Sequence, residues 1–198
     1  MKSVKTIKSN IKNAKEKTSN HFEKSINVLN SVNVSINDNK IIVKGPKGTI
    51  EYIFNYPRLK LSMEGDKLFF RCEHYTRHEK RMYGTLKAHV NNMMKGVIEP
   101  YVYKLKICSA HFPMGVEYKN NEFSIKNFLG EKTPRVCKID SDVDVKINGE
   151  FVEVKSPSKE KAGTNASKIE LLARVTGRDK RVYQDGIYMI DKGGKIIE

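Results

Sequence analysis

The chain has 198 residues, 38% of them hydrophobic, and carries 37 Lys and Arg against 23 Asp and Glu, a formal net charge of +14. This length fits one large domain or two small ones, and no apolar run approaches the roughly 18 residues that a membrane-spanning helix needs. Such a charge favours nucleic acid or an anionic membrane surface as the partner, and it says nothing about the fold.

The first 24 residues differ in composition from the rest of the chain. They contain seven Lys and two Glu, with few large apolar residues. This composition is typical of a basic extension that is mobile or folds only on a partner, although a solvated extension without a role is the alternative. We therefore assign residues 1–24 to a basic N-terminal extension.

From Val32 onward, apolar and polar residues alternate, which is the pattern of half-buried strands. Strands are predicted at residues 32–36, 40–44, 49–54, 59–63 and 67–72. Turns are predicted at Asn37–Asn39 and Gly45–Gly48, because Asn, Asp, Pro and Gly favour turns. The period then lengthens to that of a helix over Glu79–Lys95, with Gly96 as the predicted stop.

The second half repeats this order of elements. Strands are predicted at residues 101–109, 116–118, 122–126, 133–139, 143–147 and 151–155. The last two are joined by Asn148-Gly149, a dipeptide suited to a type I′ turn. Apolar residues at helical spacing then predict a helix over Lys159–Thr176.

One thirteen-residue segment occurs twice at a constant offset of 111. Val34–Pro46 and Val145–Pro157 share six identical residues, and a helical pattern follows each. We therefore predict an α+β fold of two duplicated domains, residues 25–100 and 101–198, each an antiparallel β-sheet backed by one α-helix. The two hairpins are predicted to occupy matching positions, because a one-residue change of register would turn each apolar set toward solvent.

Charge is unevenly distributed in the second half. Ile139–Val154 has five acids and one Lys, whereas Lys155–Arg181 has eight bases and three acids. Lys and Arg bind phosphates and Tyr stacks on unpaired bases, so the basic region favours RNA over the alternative of a solvated helix face. The candidate RNA-binding residues of this region are Lys155, Ser158, Lys159, Lys161, Arg174, Arg178, Lys180, Arg181 and Tyr183.

The sequence contains no known catalytic motif, since G-x-S-x-G, a P-loop and H-E-x-x-H are all absent. Asp140, Asp142 and Asp144 alternate, so on a strand they share one side. There they would bind a cation or, more often, form a charged edge that discourages strand pairing. An enzyme that uses this cluster with a divalent ion is the weaker alternative, and we expect no catalytic residue.

The three cysteines, Cys72, Cys108 and Cys137, form no Cys-x-x-Cys pair, so neither a disulfide framework nor a zinc ribbon is predicted. A reducing compartment fits this cysteine usage. Cys72, His74 and His78 have the residue types of a metal site but lack a second ligand pair at finger spacing. We expect no metal, cofactor or small-molecule substrate.

Five separated motifs resemble, in the same order, those of one known family. They are Lys44–Thr49 (K-G-P-K-G-T), His89–Val97 (H-V-N-N-M-M-K-G-V), Ala110–Pro113 (A-H-F-P), Lys126–Lys132 (K-N-F-L-G-E-K) and Gln184–Tyr188 (Q-D-G-I-Y). Together they resemble large-subunit ribosomal protein six of bacteria, called protein nine in eukaryotes, and are most similar to its eukaryotic and archaeal branch. The resemblance spans about residues 25–194, so the first 24 residues are additional to the family.

The resemblance implies two duplicated α+β domains and a non-catalytic protein of the large ribosomal subunit. It also implies binding to large-subunit rRNA, chiefly through the second domain, near the sarcin–ricin loop and the stalk base. Stalk-base proteins and other neighbouring ribosomal proteins are then partners. The implied location is the cytoplasmic ribosome, with nuclear and nucleolar passage during assembly. The alternative function is a free regulatory module that binds RNA or DNA outside the ribosome.

The same resemblance assigns roles to individual positions. The residues that match the rRNA-facing C-terminal part of the family are Arg174, Lys180, Arg181, Tyr183 and Tyr188. The loop from Lys155 to Gly163 matches the other basic contact region of the family.

The residues inside these motifs also have direct physical interpretations. Phe128 and Leu129 are predicted to anchor the core, and Gly130 to permit a sharp turn. Pro113 cannot donate to a strand ladder and is predicted to end a strand. His111 is predicted to be a hydrogen-bonded structural or RNA-contacting group rather than a catalyst.

Overall fold

A computed structural model of the chain describes residues 22–29, 31–37, 39–72 and 76–197. Of the predicted N-terminal extension, residues 1–21 lie outside the described residues, and Phe22–Lys24 belong to a strand that the sequence pattern did not indicate. The described strands are β1 (Phe22–Asn27), β2 (Asn33–Asn37), β3 (Lys40–Gly45), β4 (Gly48–Ile53), β5 (Lys60–Glu64), β6 (Lys67–Cys72), β7 (Tyr101–Cys108), β8 (Gly115–Lys119), β9 (Glu122–Lys126), β10 (Arg135–Lys138), β11 (Asp144–Asn148), β12 (Phe151–Ser156) and β13 (Gly186–Lys192). The described helices are α1 (Arg77–Ile98) and α2 (Lys159–Leu172), and a short 3-10 turn spans Phe128–Gly130.

The strands form four small sheets whose order repeats along the chain. The order β2-β3-β4 has its counterpart in β8-β9-β10, and β1-β6-β5 has its counterpart in β7-β12-β11, to which β13 adds a further strand. β2 packs against β5 in the first copy, as β8 packs against β11 in the second. A helix follows β6 and β12 alike. The predicted α+β fold with a duplicated domain is confirmed, and each copy contains two small sheets.

The copies do not correspond through the thirteen-residue match. β2 and β3 begin 82 residues before β8 and β9, and the β5–β6 hairpin corresponds to the β11–β12 hairpin. The turns of these last two hairpins contain Gly65 and Gly149, with φ of 58° and 60°. The prediction that the hairpins beginning at Val34 and Val145 occupy matching positions is therefore wrong. Half-buried hairpins commonly combine buried Val and Ile with Lys and Asn at exposed and turn positions, so two hairpins that are not counterparts can match over a short segment.

The buried residues of the two copies match when β3 is compared with β9 and β6 with β12. In each copy the central strand of the three-stranded sheet and the second strand of the hairpin bury two apolar side chains completely. These residues are Ile41, Val43, Leu68 and Phe70 in the first copy and Phe123, Ile125, Val152 and Val154 in the second, all 0% exposed. A strand with one fully buried face has a strongly specified register, since a slip of one residue would expose that face.

The described residues pack into two compact units. The first contains the described residues up to Val43 together with Glu51–Asn91, and the second contains Lys44–Ile50 and residues 92–197. In the second unit α2 packs on β7, β12 and β13 and also contacts β10. Its buried core includes Leu105, Phe123 and Ile169. The domain boundaries given from the sequence stay predictions.

Gly96 does not end the first helix as predicted, because α1 continues to Ile98. A Cβ atom at Gly96 would lie 2.0 Å from the carbonyl oxygen of Pro157 and 2.9 Å from Cε2 of Tyr101. The neighbouring carbonyl of Val97 accepts a hydrogen bond from the Lys47 N–H at 3.0 Å. Glycine is therefore needed at 96 for a close backbone approach within the second unit, and Pro100 lies just beyond the helix end.

The start of α1 is a capping box in the first unit. The backbone N–H of Thr76 donates to Oε2 of Glu79 at 3.1 Å, and the Thr76 hydroxyl accepts from the His78 N–H at 3.2 Å. The Thr76 hydroxyl also donates to Glu79, whose side chain is 4% exposed and faces the Arg58 guanidinium. These hydrogen bonds, led by that of the Thr76 hydroxyl, lower the pKa of Glu79 to about 2 although burial acts to raise it. The sequence T-x-x-E carries this motif.

Replacing Gly96 with Ala should destabilise the protein by roughly 1–3 kcal/mol, because the methyl group would overlap a backbone carbonyl that cannot move independently. Gly84→Ala is the matched control in the same helix, since a Cβ there meets nothing within 4 Å. It should stabilise by about 0.5–1 kcal/mol through helix propensity. Urea unfolding of the two variants measures both effects, and a Gly96→Ala protein as stable as Gly84→Ala would contradict the close contact.

Glu79→Gln should lower the urea midpoint at pH 7, and the difference from wild type should shrink as the pH approaches 2. The folded-state pKa of Glu79 is depressed to about 2 from its ordinary value of 4.5. Its contribution is therefore present above the unfolded value and is lost as the pH falls through the folded value. Glu64→Gln, on a carboxylate whose side chain is 53% exposed, is the control. A Glu79→Gln difference that is constant between pH 7 and 2 would refute the assignment.

Candidate nucleic-acid interface

The ten residues predicted to bind RNA all lie in the second unit, and α2 separates nine of them into two groups. The helix-start cluster consists of Lys155, Ser158, Lys159 and Lys161, at the end of β12 and in the first turn of α2. The C-terminal loop cluster consists of Arg174, Arg178, Lys180, Arg181 and Tyr183, between α2 and β13. The 14-residue helix between them is about 20 Å long. The tenth residue, Tyr188, lies on β13.

Two serines fix the start of α2. Ser158 is the N-cap, and its hydroxyl accepts a hydrogen bond from the Lys161 N–H at 3.4 Å. The buried hydroxyl of Ser156 accepts from the Ser158 N–H at 3.2 Å and donates to the carbonyl of Asp142 at 3.3 Å. Polar capping of this kind satisfies backbone donors that the helix itself leaves unpaired. The first turn of α2 therefore presents Lys159 and Lys161 from a fixed backbone.

The lysines of the helix-start cluster differ in how far their charge is neutralised. Nζ of Lys155 lies 3.2 Å from Oε2 of Glu153, and Lys161 pairs with Asp142. Nζ of Lys159 lies 5.7 Å from the ring centre of Tyr101. In the part of the chain that the structure describes, Lys159 has no ion-pair partner and is exposed. Lys159 is the strongest phosphate-binding candidate of this cluster.

The acidic segment before β11 neutralises lysines of α2. Asp140 accepts hydrogen bonds from the Asn165 amide at 2.9 Å and from Lys168 at 3.3 Å, and Asp142 pairs with Lys161. The Asn165 amide lowers the pKa of Asp140, and Lys161 lowers the pKa of Asp142. Both acids precede β11, which begins at Asp144, so the prediction that three aspartates share one side of a strand is wrong. Their carboxylates face lysines, as ion-pair partners do.

The C-terminal loop cluster has the most available positive charge. Arg174, Arg178, Lys180 and Arg181 are all exposed, and none of them forms an ion pair within the described residues. The loop is shaped by Asp179, whose carboxylate accepts the Arg181 N–H at 2.9 Å and whose carbonyl accepts the Tyr183 N–H at 2.9 Å. The turn thus holds four cations on one short segment of irregular backbone.

Arg135, which the sequence did not indicate, fixes the beginning of this loop. Its guanidinium donates to the carbonyl oxygens of Leu172 at 2.9 Å and Arg174 at 3.1 Å, and it forms two hydrogen bonds with Glu131 at 2.8 and 2.5 Å. Its central carbon lies 4.2 Å from the ring centre of Phe128. Arg135 therefore caps the carbonyl end of α2 and ties it to the Lys126–Lys132 motif.

The predictions for that motif are confirmed. Phe128 is 1% exposed, and Leu129 is partly buried against the core. Gly130 has a φ of 81°, which only glycine adopts without strain, so it permits the sharp turn. The hydrogen bonds that Arg135 donates lower the pKa of the Glu131 carboxyl.

The Ala110–Pro113 motif meets the C-terminal loop at a buried carboxylate. Oδ1 of Asp185 accepts the N–H groups of Ala110 at 2.5 Å and His111 at 3.0 Å, and Oδ2 lies 2.5 Å from Nδ1 of His111. The His111 ring stacks on Tyr183 at 4.9 Å between centroids, and Arg178 lies 4.8 Å from the Tyr183 ring centre. His111 is therefore a hydrogen-bonded group, as predicted, whereas Asp185 was missed although it lies within the Gln184–Tyr188 motif.

Tyr188 lies on β13 and lines the same pocket as Arg174 and Lys180 of the C-terminal loop cluster. It is 44% exposed, and its hydroxyl donates to the carbonyl of Gln184 at 3.2 Å. Its cross-strand neighbour on β7 is Lys106, which is also exposed. The sequence missed Lys106 as a basic neighbour because β13 was not predicted, although the alternation of β7 already placed Lys106 on its polar face.

The residues Cys72, His74 and His78, considered as a metal site from the sequence, do not form one among the described residues. Cys72 is buried, and His74 lies outside the described residues. Within the described ranges, no three His, Cys, Asp or Glu side chains are grouped in a way that could hold a metal ion. No helix in the described part of the chain combines the length and the apolar character needed to cross a membrane.

Comparison with known proteins gives two matches to one family. The model of the family described as "Ribosomal protein L6" matches residues 30–99 and again residues 112–186. The two matches begin 82 residues apart, the same offset that relates β2 and β3 to β8 and β9. The repeated fold and the repeated family match therefore agree, and both differ from the offset of 111.

Three archaeal proteins, each named "Large ribosomal subunit protein uL6", resemble the chain over most of its length. The protein of Methanococcus vannielii is 40% identical over 176 residues, which cover 89% of this chain and 97% of that protein. The proteins of Staphylothermus marinus and Nanoarchaeum equitans are each 42% identical over 87% of this chain and over 96% and 94% of their own lengths.

Proposed function

The chain belongs to the ribosomal protein L6 family, in its archaeal branch, and on that basis we propose that it is a structural protein of the large ribosomal subunit. The observation that carries the proposal is the near-complete coverage of relatives that are large-subunit proteins by name. Ribosomal proteins of this kind act by binding and not by catalysis, and we propose no catalytic residue. The proposed location is the ribosome in the cytoplasm, and nucleolar passage stays a prediction.

Within the subunit, large-subunit rRNA is the proposed partner of both clusters. The C-terminal loop cluster offers exposed cations that form no ion pair among the described residues, and the helix-start cluster offers Lys159 beside the N–H groups of a helix N-terminus. Both features suit phosphate groups, which repel acids and accept hydrogen bonds from N–H donors. By family resemblance, the contacted rRNA lies near the sarcin–ricin loop and the stalk base, where neighbouring ribosomal proteins would also be partners.

Co-sedimentation tests the proposed function directly. A tagged chain expressed in an archaeal cell should migrate with large-subunit particles in a sucrose gradient at low and moderate salt. It should also remain in the large-subunit peak when low magnesium separates the subunits. A chain that stays at the top of the gradient while still binding RNA would instead support the alternative of a free regulatory module.

Lys180→Ala with Arg181→Ala should weaken binding to protein-free large-subunit rRNA and flatten the salt dependence of log K by roughly 0.7–0.9 for each lost phosphate contact. Lys159→Ala should do the same through the other cluster, and its effect should add to that of the loop pair because about 20 Å of helix separates the sites. The measurement is a set of filter-binding titrations at several salt concentrations.

The matched control is Lys119→Ala with Lys126→Ala. This pair removes the same charge from the same unit, but both lysines lie on the β8–β9 hairpin and contact Glu117. Equal loss of affinity in the loop pair and the hairpin pair would show that net charge alone determines binding and would refute the assignment to the clusters.

A further inference from the structure

We propose that Asp185 positions His111 to contact the sugar–phosphate backbone of the bound RNA, as part of a stacked unit with Tyr183 and Arg178. This inference rests on the proposed function, since it names further contacts of the same RNA interface. The sequence did not indicate Asp185, and it indicated His111 only as a hydrogen-bonded structural or RNA-contacting group.

Asp185 is a buried charge whose hydrogen-bonding capacity is used on both oxygens. It is 3% exposed, and its Oδ1 already holds the loop through the N–H groups of Ala110 and His111. Burial acts to raise the pKa of Asp185, but the hydrogen bonds from His111 and Ala110 outweigh it, so the pKa lies below its ordinary value. Asp185 is therefore an ionised group near neutral pH, and fastening the loop uses only one of its two oxygens.

The second oxygen fixes the orientation of the His111 ring. An ionised carboxylate only accepts hydrogen bonds, so Nδ1 of His111, 2.5 Å from Oδ2, must be the nitrogen that carries a proton. Nε2 is then the nitrogen left for a ligand, and the His111 side chain is 36% exposed. It can accept from a ribose 2′-hydroxyl when the ring is neutral or donate to a phosphate oxygen when the ring is charged. Both groups belong to the RNA backbone.

The stack holds this ring against the basic loop. Tyr183 already has a ring contact with His111 and a cation–π contact with Arg178, and it is only half-exposed. The Tyr183 ring thus contacts other parts of the protein, and its proposed part is to hold His111 and Arg178 in place through these two contacts. A ring nitrogen and a guanidinium that both contact one tyrosine ring are held at fixed positions from which they can bind separate groups of one nucleic-acid backbone.

The surroundings of the stack favour RNA over a protein partner. Arg178, Lys180 and Arg181 are exposed on the same loop, and its one exposed acid, Asp179, is engaged in the turn through the Arg181 N–H. Phe112, next to His111, is 45% exposed. Exposed aromatic rings among cations are the composition of surfaces that bind RNA backbone and unpaired bases.

The direction of the change in RNA affinity on Asp185→Asn distinguishes a positioning role of Asp185 from a purely electrostatic one. Asp185→Asn raises the net charge by one, so charge alone predicts tighter binding to protein-free rRNA from large subunits. We expect binding that is about 3- to 10-fold weaker, as for the loss of one hydrogen bond. Glu122→Gln changes the charge equally at an exposed residue of β9 in the same unit and should bind as tightly as wild type or more tightly. Asp185→Asn should cost nothing further in a His111→Ala background, because Asp185 acts through His111.

Two replacements of His111 keep the test valid even if Asp185→Asn unfolds. His111→Asn retains a donor near the position of Nδ1 but nothing at Nε2, whereas His111→Gln places an amide near Nε2. The Gln protein should therefore bind rRNA more tightly than the Asn protein. Equal affinity of wild type, His111→Asn and His111→Gln would overturn the inference while leaving the proposed function intact. Failure of the wild-type chain to bind rRNA at all would instead remove the proposed function.

Discussion

The backbone of α1 at Gly96 lies against the carbonyl oxygen of Pro157, and this contact constrains where α2 begins, because Pro157 directly precedes its N-cap. Pro157 stands between Ser156, which bonds the segment before β11, and Ser158, which caps α2. Three consecutive residues thus connect the end of one helix to the beginning of the other within the second unit. Because close-packed backbone has no rotamers with which to adjust, the contact fixes the direction in which the first turn of α2 presents Lys159.

The spacing of apolar residues and the positions of turn-forming residues were enough to predict most strands and both helices, because these signals are local in the sequence. β6 and β9 were predicted with their observed bounds, and the Asn148-Gly149 dipeptide located the turn. The predicted type I′ geometry is wrong, because Asn148 pairs with Phe151 in the ladder and only Gly149 in this turn has a positive φ. Gly96 shows where such reasoning fails, since the same residue that ends many helices is here required by a neighbour 61 residues away. The predicted repeat was wrong for a related reason. A short match between two hairpins does not show that they are counterparts, whereas the order of strands in the sheets and the two family matches give the same offset of 82.

The residues of the candidate site fall into the same two groups, those that a short stretch of sequence indicates and those whose role depends on distant partners. Charge counting found the basic residues, since composition is visible in a short window. It did not find Arg135 or Asp185, whose contacts join segments separated by up to 39 and 75 residues. Each residue binds backbone groups of a loop to which it does not itself belong: Arg135 binds the start of the C-terminal loop, and Asp185 binds the loop after β7. Each therefore shapes a loop from a distant part of the sequence. The motifs that resemble the family gave a better indication, because Ala110–Pro113 and Gln184–Tyr188, the two segments that meet at Asp185, are both among them.

A net charge of +14 overstates the surface that this protein offers to RNA. Lys161 and Lys168 are held by Asp142 and Asp140, and Arg135 by Glu131, so part of the basic region serves the fold. The exposed cations of the C-terminal loop form no ion pair among the described residues, and two nearby acids have other partners: Asp179 accepts a backbone N–H of the turn, and Asp185 accepts hydrogen bonds from His111. Acidic residues therefore determine which cations are available, and the interface is defined as much by their placement as by the lysines and arginines themselves.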